Sequence, residues 1–306
     1  MRTINFMGQS TSGLAIIFSA VLLLGSIASL AINQLNWGLD FTGGTLVEVH
    51  YGATADLNSI RSTLEANGFA GAVVTSYGSD QDVLIRMPVG YSDKDGAALL
   101  AVLQQAFTGT VEVRRIEFVG PQVGDELREQ GGLAMLLSLG LVTLYVAFRF
   151  QLKFGIGAVA ALVHDVIITL GFFSITGMEF NLNVLAAILA IIGYSINDTI
   201  VVFDRIRENF RKLRRATPVE VMNISITETL DRTLVTSGIT LLTVVALALF
   251  GGDMLFGFSI AMIIGVAMGT YSSIYVASAA ALLMGATKED LILPPKEGVE
   301  REDLTP

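Results

Sequence analysis

The sequence predicts a polytopic α-helical membrane protein with six transmembrane helices and one α+β domain outside the membrane. Three observations lead to this fold class. Hydrophobic residues make up 52% of the 306 residues and charged residues only 15%. Several apolar runs are close to the roughly 20 residues that a helix needs to cross a bilayer. One long segment, 36–130, instead has the mixed periodicity of a soluble domain.

The first apolar run covers residues 14–32 and contains no charged residue. We therefore predict a transmembrane helix over residues 14–35, preceded by a cytoplasmic segment, 1–13. A cleaved signal peptide is the alternative, because Arg2 precedes the run and residues 29–31 resemble a cleavage site. The run is longer than a typical signal-peptide core, which favours a retained anchor.

The segment 36–130 alternates between strand-like and helix-like periods. Its predicted strands cover residues 45–51, 72–77, 82–88 and 111–119, and its predicted helices cover 56–67 and 92–107. The resulting order, βαββαβ, is typical of ferredoxin-like domains. Because that scaffold serves many functions, the order does not by itself indicate what the domain binds.

Five further apolar runs place transmembrane helices 2–6 within residues 131–286. Lys and Arg are concentrated in two short loops, one after helix 2 and one at residues 205–215 after helix 4. By the positive-inside rule these loops are cytoplasmic, which also places both termini and the tail 287–306 in the cytoplasm and the folded domain in the periplasm. The basic run could also bind anionic lipid or a ribosomal partner, although a positive-inside anchor explains it without either.

A capping-box pattern at residues 217–220 begins another predicted helix, before the fifth apolar run. Apolar residues at helical spacing follow the capping box on one face. We therefore predict a short amphipathic helix that lies along the inner membrane surface.

Composition excludes several classes of function. The formal net charge of −9 argues against nucleic-acid binding, which needs a basic surface. The chain contains no cysteine, which excludes disulfides and thiolate metal sites. The phosphate-binding pattern Gly-x-x-x-x-Gly-Lys-Ser/Thr is also missing from the sequence. We expect a protein that is not an enzyme and that holds neither a metal nor a cofactor.

Small residues recur at every fourth position of the sixth helix. They are Gly257, Ala261, Gly265, Gly269, Ser273 and Ala277. A face of small residues over about five turns lets a neighbouring helix approach closely. We therefore predict a helix-packing seam at this face.

The ionisable residues within the apolar runs are the strongest candidates for a functional site, because an acid at a helix centre costs about 2.5–3.5 kcal/mol for insertion. Asp198 lies 16 residues beyond the start of the fourth run, or roughly 24 Å along the helix. Arg232 opens the fifth helix at a similar depth and is its predicted partner. Asp165 and the adjacent His164 lie near the middle of the third helix, which predicts a polar cluster across three helices.

Proton transfer is the chemistry that these residue types favour, because a buried carboxyl beside a cation can gain and lose a proton. The predicted proton relay has four members: Asp198, Arg232, Asp165 and His164. Two alternatives stay open. The four groups could only hold the helices in register, or Asp198 could bind Na⁺ together with its neighbours Asn197 and Ser195.

Two stretches of the sequence resemble the SecF family of accessory subunits of the bacterial Sec translocase. They are residues 38–44, which read GLDFTGG, and residues 193–205, which read GYSINDTIVVFDR. The resemblance extends over nearly the whole chain. It includes the single anchor, the ferredoxin-like domain, the pair His164-Asp165, and Asp231-Arg232-Thr233 at the fifth helix.

The resemblance implies a function. It implies an RND-like six-helix half that forms a heteromeric complex with SecD in the bacterial inner membrane. There the complex uses the proton motive force to assist the late translocation of unfolded proteins through SecYEG, with YajC and YidC as further partners. By the same resemblance, Asp198 is the proton-relaying carboxylate and Arg232 its basic partner. A hinge between the first helix and the domain is implied at Gly38, Asp40, Gly43 and Gly44.

Two other functions fit the same pattern of helices. An RND-type exporter of lipids or small amphiphiles would share the buried acid, although such exporters usually carry both halves in one chain. A scaffold subunit that couples to no ion would also share the pattern. It predicts that neutralising Asp198 leaves export intact. The resemblance does not distinguish H⁺ from Na⁺ as the coupling ion.

Overall fold

The structure is a computed structural model that describes residues 3–286, apart from residues 78, 89, 92, 108, 151 and 214. The predicted cytoplasmic tail, 287–306, lies outside the described residues. The helices are α1 Gln9–Ile32, α2 Leu39–Thr42, α3 Leu57–Ala66, α4 Asp93–Ala106, α5 Pro121–Arg149, α6 Leu152–Thr176, α7 Leu182–Lys212, α8 Pro218–Phe250, α9 Asp253–Ile274 and α10 Val276–Leu283. The strands are β1 Asn36–Trp37, β2 Gly44–Tyr51, β3 Val73–Tyr77, β4 Ser79–Met87, β5 Val111–Val119 and β6 Glu179–Phe180.

Six helical segments among the described residues are long and apolar enough to cross a membrane, which confirms the predicted fold class. They are α1, α5, α6, α7, α8 and the pair α9–α10. The central pair is α6 and α7, since 61% and 56% of the residues in their most apolar windows are buried, against 11% to 17% in α1, α5 and α8. Any polar group on the inner faces of α6 and α7 is therefore shielded from lipid by the surrounding helices.

The start of α5 differs from the prediction. The apolar run suggested that helix 2 starts at residue 131, but α5 already begins at Pro121, ten residues earlier. Residues 121–130 are mostly polar, so apolar periodicity could not reveal them as helix. The predicted outer domain, 36–130, therefore ends in a helix that continues into the membrane segment.

The fifth membrane helix also differs from the prediction. The predicted short surface helix does not exist as a separate element, because α8 runs without a break from Pro218 to Phe250. Its capping box is present, with Thr217 N donating to Glu220 Oε2 at 2.8 Å and Glu220 N donating to Thr217 Oγ1 at 3.3 Å. Most of the apolar stripe that predicted a surface helix is instead buried against α7, where Met222 and Ile226 pack in the same cluster as Phe203, while Val219 at its start stays exposed.

The outer domain has the predicted βαββαβ order, formed by β2, α3, β3, β4, α4 and β5. Its four antiparallel strands have the spatial order β3-β4-β2-β5. Side chains from both helices meet one face of the sheet in a core that includes Ile60, Leu64, Leu99, Leu103, Val47 and Ile85. The domain therefore has a hydrophobic core of its own.

Close contacts join the outer domain to the ends of the membrane helices. Strand β1 pairs in parallel with β6, and the rings of Phe41 and Phe180 stack with centroids 5.8 Å apart. Arg86 of the sheet donates to Glu179 at 2.6 Å. The domain is therefore held by strand pairing, ring stacking and an ion pair, as well as by its covalent connections.

The predicted hinge lies within this junction and is closely packed. Asp40 Oδ2 accepts from Leu182 N at 2.9 Å, so Asp40 binds the first turn of α7 next to its N-cap residue, Asn181. Gly44 has φ +120°, and a side chain there would collide with the Met87 carbonyl oxygen. A Cβ at Gly38 would lie 2.8 Å from the Glu179 carboxylate. Hinge motion at Gly38 would have to break its N–H bond to the Phe180 carbonyl at 2.8 Å, and motion at Gly43 would have to break its N–H bond to the Leu39 carbonyl at 2.9 Å.

Candidate functional site

The two central helices each bury one carboxylate in the membrane segment. Asp165 of α6 has no exposed surface, and Asp198 of α7 is 4% exposed. Asp165 lies 13 residues from the start of α6, or about 20 Å. Asp198 lies 16 residues from the start of α7, or about 24 Å. An acid at such depth is a functional-site hypothesis by default, because its insertion is costly.

Asp165 lies in a compact polar cluster. Its Oδ2 accepts from Ser195 Oγ at 2.6 Å and from Ser272 Oγ at 2.7 Å, and its Oδ1 lies 3.0 Å from His164 Nδ1. Because these partners come from α6, α7 and α9, the cluster joins three helices. A three-helix polar cluster was predicted, but the predicted members Asp198 and Arg232 are not part of it.

Asp198 has a much weaker set of partners. Within the described part of the chain its hydrogen-bond partner is Ser237 of α8, whose Oγ lies 3.4 Å from Asp198 Oδ2. The Ser237 hydroxyl also lies 2.7 Å from Thr270 Oγ1 and accepts from Tyr194 at 3.3 Å. A serine hydroxyl has a single proton to donate. When it donates to Thr270, Asp198 loses that hydrogen bond.

Arg232 is not in direct contact with Asp198. It is exposed on α8, and no ion pair within 4.0 Å joins these two described residues. Ser237, five positions later, faces inward, and five residues correspond to about 140° around a helix at 3.6 residues per turn. Because α8 is continuous, this rotation places Arg232 on the exposed face of α8, away from the interior of the helix bundle. The predicted direct pairing is therefore absent from the isolated chain.

The predicted Na⁺ ligands do not converge either. Ser195 donates to Asp165 and not to Asp198, and Asn197 is exposed on another face of α7. Ser195 and Asp198 are three positions apart and lie on neighbouring parts of one helix face, but their side chains have different partners, Asp165 and Ser237. Among the residues that the structure describes, no group of three or more His, Cys, Asp or Glu side chains is placed to bind a metal.

The small residues of the sixth helix pack against α7. A Cβ at Gly257 would lie 3.1 Å from Val184, one at Gly269 would lie 3.1 Å from Ser195, and one at Gly265 would overlap Ile191. Ala261 is fully buried. Ser273 Oγ lies 2.8 Å from Thr199 Oγ1. This close approach of α9 to α7 brings Ser272 and Ser195 to the same carboxylate.

Sequence reasoning missed the hydroxyl groups around the two acids. These are Ser272, Ser237, Thr270, Thr199 and Tyr194. The available signal was a group of hydroxyl residues within apolar helices, as at residues 270–273. That signal is weak, because such a hydroxyl can also bond within its own helix, as Thr270 does to the Val266 carbonyl.

Comparisons with known proteins give the same family over nearly the whole chain. Residues 99–287 match the family described as protein export membrane protein SecD/SecF, C-terminal, and residues 28–55 match the SecD/SecF GG motif. The chain is 50% identical to a protein translocase subunit SecF from Vibrio alginolyticus, covering 99% of this chain and 97% of that protein. It is 52% identical to one from Pseudomonas aeruginosa, covering 95% of each.

The chain belongs to the SecF family. The match to the GG motif includes Gly43 and Gly44, whose positive φ angles require glycine at this junction. Among solved structures, the chain resembles SecDF from Thermus thermophilus, described as a translocon-associated membrane protein, with a TM-score of 0.83 and 39% identity over 92% of this chain. A super-membrane-facing form of SecDF gives a TM-score of 0.67 and 38% identity over 93% of this chain. This chain spans 38% and 39% of those SecDF chains.

Proposed function

We propose that this SecF family member forms a complex with SecD in the bacterial inner membrane and couples proton movement to the late stages of protein translocation through SecYEG. YajC and YidC are proposed as further partners. The observation that supports the proposal is the environment of Asp198. Its carboxyl group is buried in the membrane segment, and among the described residues it has one long hydrogen bond, from a Ser237 hydroxyl that also contacts Thr270.

A weakly held carboxyl group suits a proton carrier. Transfer of a proton to or from Asp198 would disturb one contact at 3.4 Å, whereas the same change at Asp165 would disturb three contacts of 2.6–3.0 Å. One elementary charge that crosses a potential of about 100 mV provides about 2.3 kcal/mol. That free energy is sufficient to bias a protein with two conformations.

Asp165 and His164 would then be a second proton-binding site of the relay, held more rigidly than Asp198 by its hydrogen bonds. Hydrogen bonds also connect the surroundings of the two acids: Ser195 donates to Asp165, Ser273 donates to the Ser195 carbonyl at 3.5 Å, and Thr199 bonds Ser273. A backbone carbonyl accepts a hydrogen bond but has no proton to pass on, so these contacts hold the helices of the two acids together and do not themselves conduct a proton. Arg232 is exposed on α8. We propose that its positive charge acts on the relay residues from the surface of the helix bundle. In this proposal the chain is not an enzyme and has no cofactor, and H⁺ is the coupling ion.

Neutralising Asp198 tests the proposal. Asp198→Asn keeps the size and the hydrogen-bonding capacity of the side chain but cannot release a proton, so we expect proton-driven export to be lost while the protein still accumulates with SecD. The measurement is translocation into vesicles under an imposed proton gradient after ATP is exhausted, with sodium present or removed. Asp125→Asn, a change at an exposed acid of α5, is the matched control and should leave export normal.

Three results would contradict the proposal. Normal export by Asp198→Asn vesicles, matched for protein amount, would favour a scaffold subunit. Export that requires sodium rather than a proton gradient would identify Na⁺ as the coupling ion. Purification without SecD would instead point to an RND-type exporter half for lipids or small amphiphiles.

The orientation is a separate proposal, in which the termini are cytoplasmic and the outer domain is periplasmic. The loop between α7 and α8 contains Arg215 and follows the basic end of α7, whereas the loop at Gly252 between α8 and α9 lacks basic residues. A cysteine introduced at the exposed Ala66 or Met254 should react with a membrane-impermeant reagent added to the periplasmic side, and one at Arg215 should not. The reverse labelling pattern would invert the topology.

A further inference from the structure

A groove of about 600 Å³ lies at the end of the bundle opposite the outer domain, between the segment that precedes α1 and the start of α8. Its lining includes the apolar side chains of Ile4, Val219 and Ile224. Val219 is 31 residues from Phe250 at the other end of α8, or about 46 Å. Because the hydrocarbon core is roughly 30 Å thick, the groove lies in water beyond it. Ile4 and Val219 are exposed there, which favours an occupant that covers them.

Hydrogen bonds to α8 fix the walls of the groove. Asn223 Oδ1 accepts from Phe6 N at 2.9 Å and from Met7 N at 2.8 Å. Ile4 N donates to Thr227 Oγ1 at 3.1 Å. The segment that precedes α1 is therefore held along α8, and the groove between them is part of the folded bundle.

The described chain ends at the depth of this groove. The hydroxyls of Ser237 in α8 and Thr270 in α9 lie 2.7 Å apart, and α8 and α9 are antiparallel because a two-residue loop joins them. From that contact, Asn223 is 14 residues back along α8 and Met284 is 14 residues further along α9 and α10, about 21 Å in each case. Since α10 also contacts α8, the residues after 286 start beside the groove.

The composition of residues 287–306 fits the groove. The run Leu-Ile-Leu at 291–293 begins five residues after Ala286. Five extended residues span at most about 17 Å, which is enough to reach a groove on a neighbouring helix, because packed helix axes are about 8–10 Å apart. The stretch 297–303 then carries four acidic residues and one basic residue.

Charge complementarity favours the same occupant. Arg215 is exposed and directly precedes Ala216 of the groove, and Arg211 is exposed four residues earlier. In the described part of the chain neither arginine has an ion pair within 4.0 Å, whereas Glu220 of the groove already accepts from Thr217 in the capping box of α8. An apolar groove beside unpaired basic residues suits a segment in which acidic residues follow apolar ones.

We propose that residues 291–293 of this chain bind in the groove against Ile4 and Val219, and that the acidic stretch 297–303 lies beside Arg211 and Arg215. The bound segment would fasten the chain before α1 to the start of α8 and shield the exposed apolar side chains from water. The proposal goes beyond proton coupling and does not depend on it, because this contact can be detected without export.

The absence of cysteine from the chain permits a direct test by disulfide formation. In isolated membranes that contain full-length Val219→Cys/Ile292→Cys, we expect an oxidant to join the two cysteines within one chain, as shown by mass spectrometry of the linked peptides. Leu152→Cys/Ile292→Cys is the control. Leu152 is exposed and precedes Lys153, whose Nζ donates to the Gly285 carbonyl at 2.8 Å, so it lies close to the start of the segment.

A segment without a binding site would form the control disulfide at least as fast, whereas we expect the Val219 pair to form at least about fivefold faster than the control. Adding Leu291→Ser and Leu293→Ser keeps both cysteines but removes apolar contacts, and should slow the Val219 pair roughly tenfold. Neutralising Arg211 and Arg215 to Gln should slow it about threefold.

Four results would overturn the proposal. They are equal rates for the two cysteine pairs, a Val219 rate that the serine changes leave unaltered, linked peptides that come from two copies of the chain, and a disulfide that forms in detergent but not in membranes. The third result would identify a second copy as the occupant of the groove, and the fourth would identify lipid.

Discussion

Asp165 and Asp198 are two buried acids on neighbouring helices that have very different surroundings. Asp165 has three close partners, two of them from other helices. Among the described residues Asp198 has one hydrogen-bond partner, the Ser237 hydroxyl at 3.4 Å, which also contacts Thr270 and Tyr194. Burial alone therefore does not separate the two acids, whereas the number and length of their hydrogen bonds do. On that difference rests the proposal that Asp165 holds helices together and that Asp198 exchanges a proton.

We expect the largest difference in the free energy of unfolding when each carboxylate is removed in turn. Asp165→Ala leaves two serine hydroxyls and His164 Nδ1 without their partner, so we expect it to lower the free energy of unfolding by about 2–4 kcal/mol. Asp198→Ala should lower it by less than about 1 kcal/mol, because only one long bond is lost. Unfolding by SDS in mixed micelles measures both values. Equal losses would remove the distinction between the two acids.

The packing of α9 against α7 should affect the Asp165 cluster selectively. A Cβ at Gly269 already lies 3.1 Å from Ser195, so Gly269→Val should displace Ser195 from Asp165 and destabilise the protein by about 1–3 kcal/mol. Gly238→Val is the matched control near Asp198, because a Cβ at Gly238 meets no atom within 4 Å. The same unfolding measurement should show little change for Gly238→Val. If Gly238→Val lowered the free energy of unfolding more than Gly269→Val, close packing of α9 on α7 would not be what positions Ser195.

The smallest expected effect concerns the serine beside each acid. Ser195→Ala removes a bond of 2.6 Å to a fully buried carboxylate, which should cost about 1–2 kcal/mol. Ser237→Ala removes a shared bond of 3.4 Å, and we expect a loss below about 0.5 kcal/mol. If the Ser237 variant proved the less stable of the two, Asp198 would be more firmly held than its geometry indicates.

Much of the fold could be predicted from the sequence because it depends on local patterns. Apolar runs of sufficient length predicted the six membrane helices, and alternating periods predicted the βαββαβ order of elements along the chain in the outer domain. The positions of Asp165 and Asp198 within the membrane segment followed from counting along their helices. Each of these results needs only residues that are close together in the chain.

Tertiary structure decided which side chains meet. The sequence paired Asp198 with Arg232, but the continuous α8 turns Arg232 outward and brings Ser237 to the acid. It also placed Ser195 beside Asp198, whereas the helix directs Ser195 to Asp165. The direction of a side chain depends on its rotation around the helix and on the neighbour that this face meets. Both are set by the packing of distant segments, so neither can be read from a single run of residues.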